Sequence, residues 1–166
     1  MESLPNKLVL VGDRCIKNQS LRNQVNKLSP LFDICFSDTG IEYAGCIDEG
    51  QYVIFVYDDF TDDVFERLSS KQGCIISPQI VHSATEMTPP ILVPRRRPLY
   101  NHALKDQVIC FTGFTDRSQV SQLAALVHYM DGTIRKEYTI PTSLTWWPIT
   151  ARERSTRRRS VLVVRL

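Results

Sequence analysis

Carboxylates, one threonine-glycine pair and scattered thiols are the groups in this sequence with the means to do chemistry. Asp58 and Asp59 follow one apolar run and Asp13 follows another. Acidic groups gathered at strand ends suit a hard divalent cation, so one reading is a receiver-like phosphoacceptor site using Asp13 and Asp58. The plainer reading makes them solvated loop and helix-start residues, and no suitably placed lysine follows the next apolar run to complete a phosphoryl site. Val11-Gly12-Asp13 lacks the further glycines that let a backbone approach a pyrophosphate. His82, His102 and His128 lie far apart and without zinc spacing, so neither a metal nor any other cofactor is expected. Thr112-Gly113 ends an apolar run, where Gly permits a tight turn and Thr has a hydroxyl for its own backbone or for an anion.

Charge is distributed unevenly. The chain of 166 residues has a net charge of +2, but the last sixteen residues hold six arginines against Glu153. The other 150 residues are therefore slightly acidic, which makes their fold a poor binder of nucleic acid, whose affinity comes from basic faces that release counterions. Arg95, Arg96 and Arg97 form a separate basic run that reads as a nuclear-localisation contact or as a solvated linker. The five cysteines are odd in number and form no Cys-x-x-Cys pair, the pattern of reduced intracellular thiols. No apolar run approaches the roughly 18 residues that span a bilayer, so no membrane is expected as a partner.

The elements that must hold these residues follow from periodicity. Lys7 to Val11 is a β-rich run, and Gln19 to Leu28 places Leu21, Val25 and Leu28 at helical spacing before Pro30. Leu31 to Phe36 reads as a strand, Tyr52 to Tyr57 as a strand buried on both faces, and Asp62-Asp63 as the start of a helix carrying Val64, Phe65 and Leu68. Cys74 to Ile76 is a fourth strand, and Ser77-Pro78 opens a short helix. This order predicts an α/β fold with a four-stranded, mainly parallel sheet and helices on both faces. The first domain is expected over 1–87, followed by a Pro/Arg-rich linker over 88–100. The motif then restarts, with a strand over Gln107 to Phe111, a helix over Ser118 to Met130 and a strand from Thr133 to Tyr138. This second, incomplete unit spans 101–138, and a divergent basic tail without structure is expected over 139–166.

Arg97-Pro-Leu-Tyr100, Val108-Ile-Cys-Phe-Thr-Gly-Phe114 and Leu126-Val-His-Tyr-Met-Asp-Gly-Thr-Ile-Arg-Lys136 resemble the N-terminal BRCT repeats of the Pebble-type Rho guanine-nucleotide exchange factors. Residues 7–90 are similar in layout to that family's degenerate first BRCT unit. The resemblance implies a BRCT-like fold and a non-catalytic fragment that serves docking and autoinhibition in cytokinesis, with the exchange domain absent from this stretch. It also implies a phosphorylated, centralspindlin-type partner or the family's own exchange domain, with a Rho-family GTPase engaged only indirectly. The implied location is nucleus and cytoplasm, and the cleavage furrow or midzone for the full-length family.

BRCT phosphate pockets resemble one another in using a Ser or Thr hydroxyl at the end of the first strand, the next backbone N–H and a Lys opening the second helix. Thr112 and Gly113 match the first two positions. The Lys has no counterpart here, and loss of one charged hydrogen bond implies roughly ten- to hundredfold weaker phosphate binding. In the first unit Val11 stands in place of the hydroxyl and Asp62-Asp63 in place of the cation, an arrangement expected to repel phosphate. The tail has a genetic reading as well. Ser143-Leu-Thr-Trp-Trp, read in a shifted frame, gives Thr-His-Leu-Val, which resembles the family's third strand and implies a frameshift or alternative exon junction between about Tyr138 and Ser143.

Overall fold

A computed structural model of the chain describes residues 6–44, 46, 52–71, 73–92, 97–113, 115–135 and 161–165. They fall into two compact units, Met1–His102 and Ala103–Leu166.

The first unit is built on strands β1 (Lys7–Val11), β2 (Asp33–Ser37), β3 (Val53–Val56) and β4 (Cys74–Ile76), which form one sheet in the order β2-β1-β3-β4. Every pairing is parallel. Parallel strands need crossover connections and are covered on both faces, which is why β3, β4 and, after Lys7, β1 are uninterrupted apolar runs. Leu8, Leu10, Ile54, Val56 and Ile76 point to one face and pack with Leu21 and Val25 of α2 (Gln19–Asn26) and Ile80 and Val81 of α4 (Pro78–Thr85). Burying each such side chain contributes about 1.5–3 kcal/mol before ordering costs. Helix α3 (Asp63–Ser70) buries Phe65 and Leu68 on the other side of the sheet. This is the expected four-stranded parallel sheet flanked by helices.

Three details depart from the sequence expectation. A six-residue helix, α1 (Gly12–Lys17), follows β1 at once; Gly12 turns the chain at φ +78°, and the Asp13–Lys17 ion pair at 2.6 Å supports the single turn. β2 begins two residues later than expected, because Leu28 to Phe32 forms hydrogen-bonded turns. The expected linker over 88–100 is in part docked. Leu99 bridges to Ile76 in parallel, is buried in the core, and exchanges backbone hydrogen bonds with Ile75 and Ser77, while the Ser77 hydroxyl donates to the Tyr100 carbonyl.

The second unit contains β5 (Val108–Thr112), α5 (Arg117–Tyr129), β6 (Thr133–Arg135) and β7 (Val161–Arg165), with the strands in the order β6-β5-β7, all parallel. That order repeats β2-β1-β3 of the first unit. Helix α5 stops where Asp131 takes the left-handed φ of 65° and Gly132 donates to the Val127 carbonyl at 2.8 Å. Leu126 of α5 is half exposed. The tail expected to lack structure holds β7: Val-Leu-Val-Val is a β-branched, apolar run, and it pairs with the whole of β5.

Candidate functional site

Both units turn the chain in the same way at the end of their central strand. β1 ends at Val11 and Gly12 has φ +78°; β5 ends at Thr112 and Gly113 has φ +82°. α1 begins at Gly12 itself, and α5 follows Gly113 after a short loop. A left-handed glycine at this point turns the backbone out of the sheet, a conformation that costs an L-residue about 1 kcal/mol or more. Gly113 is exposed. Asp116 caps α5, its carboxylate accepting from the Ser118 N–H at 2.8 Å. The structure thus places Thr112 and Gly113 at the tip of the central strand of the second unit, with Arg165 of β7 the register partner of Thr112. The Thr112 side chain lies outside the described residues, as do Arg95, Arg96 and the segment 136–160. Arg97 is exposed.

At the same point of the first unit the chemistry is of opposite sign. Gly12, Asp13, Arg14, Tyr57, Asp58, Asp59 and Asp62 line an open cleft of about 220 Å³. Asp62 caps α3, accepting from the Phe65 N–H at 2.8 Å, and its other oxygen accepts from the Tyr57 hydroxyl. Burial, then the Asp62 hydrogen bond and the neighbouring carboxylates, push the Tyr57 phenol well above its ordinary range. Asp59 accepts from the Thr61 hydroxyl at 2.6 Å and from the Thr61 N–H at 3.0 Å, which hold its carboxyl below the usual value. The helix N-terminus that could receive an anion is already occupied by the chain's own Asp62. Sequence reasoning saw the acidic pair that opens α3 but missed Tyr57 as its partner; the signal is an aromatic hydroxyl five residues before an N-cap aspartate.

The receiver-like alternative is not assembled. Asp13 is paired with Lys17 at 2.6 Å and Asp58 with Arg14 at 3.8 Å, so each carboxylate has a cation on α1. Among the described residues no group of three or more His, Cys, Asp or Glu is arranged to hold a metal ion. The histidines are separate: His82 bonds Gln24 at 2.7 Å, and His128 lies 3.3 Å from the Gly132 carbonyl.

No family model matches the sequence. Two curated proteins do. Protein ECT2 of Homo sapiens is 36% identical over 85 residues, 51% of this chain and 9% of that protein. Protein ECT2 of Mus musculus is 37% identical over 84 residues, again 51% of this chain and 9% of that protein. The chain therefore spans about a tenth of the length of the relatives it matches. A solved structure of Rad4 BRCT1,2 in complex with a Crb2 phosphopeptide aligns at 13% identity over 82% of this chain and 71% of that one, with a TM-score of 0.36, a superposition too loose to transfer a site. Half of this chain is related in sequence to Protein ECT2, in keeping with its resemblance to the N-terminal BRCT region of that type of exchange factor.

Proposed function

We propose that this chain, with a BRCT-like fold and a segment related to Protein ECT2, is a non-catalytic regulatory and docking part of a Rho guanine-nucleotide exchange factor acting in cytokinesis. The observation that carries the reading is the match to Protein ECT2 over half of the chain. Docking is assigned to the second unit. There Thr112 and Gly113 end the central strand, and the left-handed Gly113 is exposed at the turn into α5. A threonine hydroxyl and a glycine N–H are the donors that a phosphate oxygen needs. The first unit, with four aspartates around its cleft, supports an autoinhibitory or scaffolding role instead. The partner is a phosphorylated, centralspindlin-type protein or the exchange domain of the full-length protein, and the GTPase is reached only through that domain. The chain acts in the nucleus and cytoplasm and, with the full-length protein, at the furrow or midzone.

Calorimetric titration of the chain with a phosphothreonine peptide, its unphosphorylated form and magnesium tests the assignment. Heat from the phosphopeptide alone is expected. Equal binding of both peptides, or a response to magnesium alone, overturns it.

A further inference from the structure

Each sheet reverses its strand order at one place. In the order β2-β1-β3-β4 the chain leaves β1 toward β2 and then crosses to the other side, so the reversal lies between β1 and β3; the order β6-β5-β7 puts it between β5 and β7. Connections diverge from such a point and leave a crevice outside the carboxyl ends of the two strands, where open parallel sheets bind their ligands. In the first unit that crevice is the cleft of about 220 Å³, lined by Gly12 and Asp13 after β1 and by Tyr57 and Asp58 after β3. Matching the units on their left-handed glycines, Gly12 and Gly113, sets Val11 against Thr112. Leu10 pairs with Val56 and Phe111 with Val164, so the residue that follows is Tyr57 in the first unit and Arg165 in the second. Arg165 is also the register partner of Thr112. The two stand in one row at the carboxyl ends of neighbouring strands, which lie about 4.8 Å apart, beside the turn at Gly113. Where the first unit has a phenol that donates to Asp62, the second has a side chain that is always charged. The nearby start of α5 offers an anion no substitute, because Asp116 already takes the Ser118 N–H there.

We propose that Arg165 is the cation of the phosphate site at Thr112 and Gly113, and that the ligand is a phosphomonoester carried on a peptide. The inference rests on the docking function assigned to the second unit and adds the residue that reads the ligand's charge. A guanidinium makes two parallel N–H···O bonds to phosphate oxygens, while the Thr112 hydroxyl and the Gly113 N–H donate to the remaining lone pairs. A phosphate group offers this fork two charged oxygens at once; the hydroxyl of the unphosphorylated residue does not. The site therefore exists only while β7 is paired with β5, and a lysine at position 165 keeps the charge but loses the fork.

The test titrates the full, isotopically labelled chain with a phosphothreonine peptide and follows the Gly113 N–H and the Arg165 Nε–H by NMR. Both signals are expected to shift along one binding curve. Arg165→Gln is expected to weaken binding roughly ten- to hundredfold and Arg165→Lys to weaken it severalfold. Arg67→Gln, which removes the same charge from the exposed side of α3 in the first unit, is expected to leave it unchanged. Exchange protection of the Val161 to Val164 amides in each variant checks that β7 is still paired, and the Arg165 Nε–H shift reads the contact in the unaltered chain. A Gly113 shift with Arg165 unmoved, Arg165→Gln binding as tightly as the unaltered chain, or equal weakening by Arg67→Gln would each overturn the role of Arg165 and leave the docking function standing. No shift at either residue would overturn both.

Discussion

Removing the Asp62 carboxylate tests whether the first unit has filled its own anion site. Its two oxygens do separate jobs, one capping α3 through the Phe65 N–H at 2.8 Å and the other accepting from Tyr57. Losing an N-cap costs about 1 kcal/mol. A hydrogen bond to a charged group is worth about 1.5–3 kcal/mol when buried; Asp62 is only half-buried at the cleft, so solvent screening reduces it to about 1 kcal/mol. Asp62→Ala should therefore destabilise the first unit by about 2 kcal/mol. Asp62→Asn, a good cap that still offers an oxygen, should cost about 1 kcal/mol or less. The two jobs separate in a double-mutant cycle with Tyr57→Phe, read by urea unfolding followed by circular dichroism and by exchange of α3 amides. In the Tyr57→Phe background Asp62→Ala should cost only the cap, leaving a coupling of about 1 kcal/mol. A coupling indistinguishable from zero would refute the shared hydrogen bond and, with it, the account of an occupied site.

Further consequences follow from the same unit. A methyl group added at Gly40 would meet Val11 at 3.0 Å and the Phe55 ring at 3.1 Å, at a backbone φ of +73°, so Gly40→Ala should cost about 2–4 kcal/mol in urea unfolding, strain and overpacking together. Because the Tyr57 phenol is raised in the folded state, its contribution to stability is complete below the ordinary phenol range and declines as pH climbs above about 10; Tyr57→Phe should flatten that alkaline decline in thermal melts. Burial, helped by the nearby Asp58 charge, pushes the Cys15 thiol up to about 12, so iodoacetamide at pH 8 should leave it unmodified until urea opens the fold, as mass mapping of alkylated fragments would show.

The parallel sheet was legible because β3, β4 and, after Lys7, β1 are short, unbroken apolar runs, the pattern of strands covered on both faces. Helix starts were legible where a capping side chain does the work, as at Asp62. Helix α1 was not, since six residues after a glycine carry too little periodicity to register. The docking of Leu99 was hidden for another reason: one buried leucine after a proline has no pattern, and its place is set by tertiary pairing with Ile76. β7 shows how charge can mislead. Its Val-Leu-Val-Val core is a strand signal, but the arginines before it made the whole segment look like a solvated tail. At the site, Thr112 and Gly113 could be read from residue type and from resemblance, whereas the occupied cleft of the first unit depends on Tyr57 meeting Asp62 across a loop.

The most direct test of a phosphate-reading second unit is amide chemical-shift perturbation on addition of a phosphothreonine peptide to the isotopically labelled chain. The account predicts a large shift at the Gly113 N–H, lost in Thr112→Val and absent with the unphosphorylated peptide, while the Gly12 N–H stays in place beside its carboxylates. A shift at Gly12 with Gly113 unmoved would contradict it.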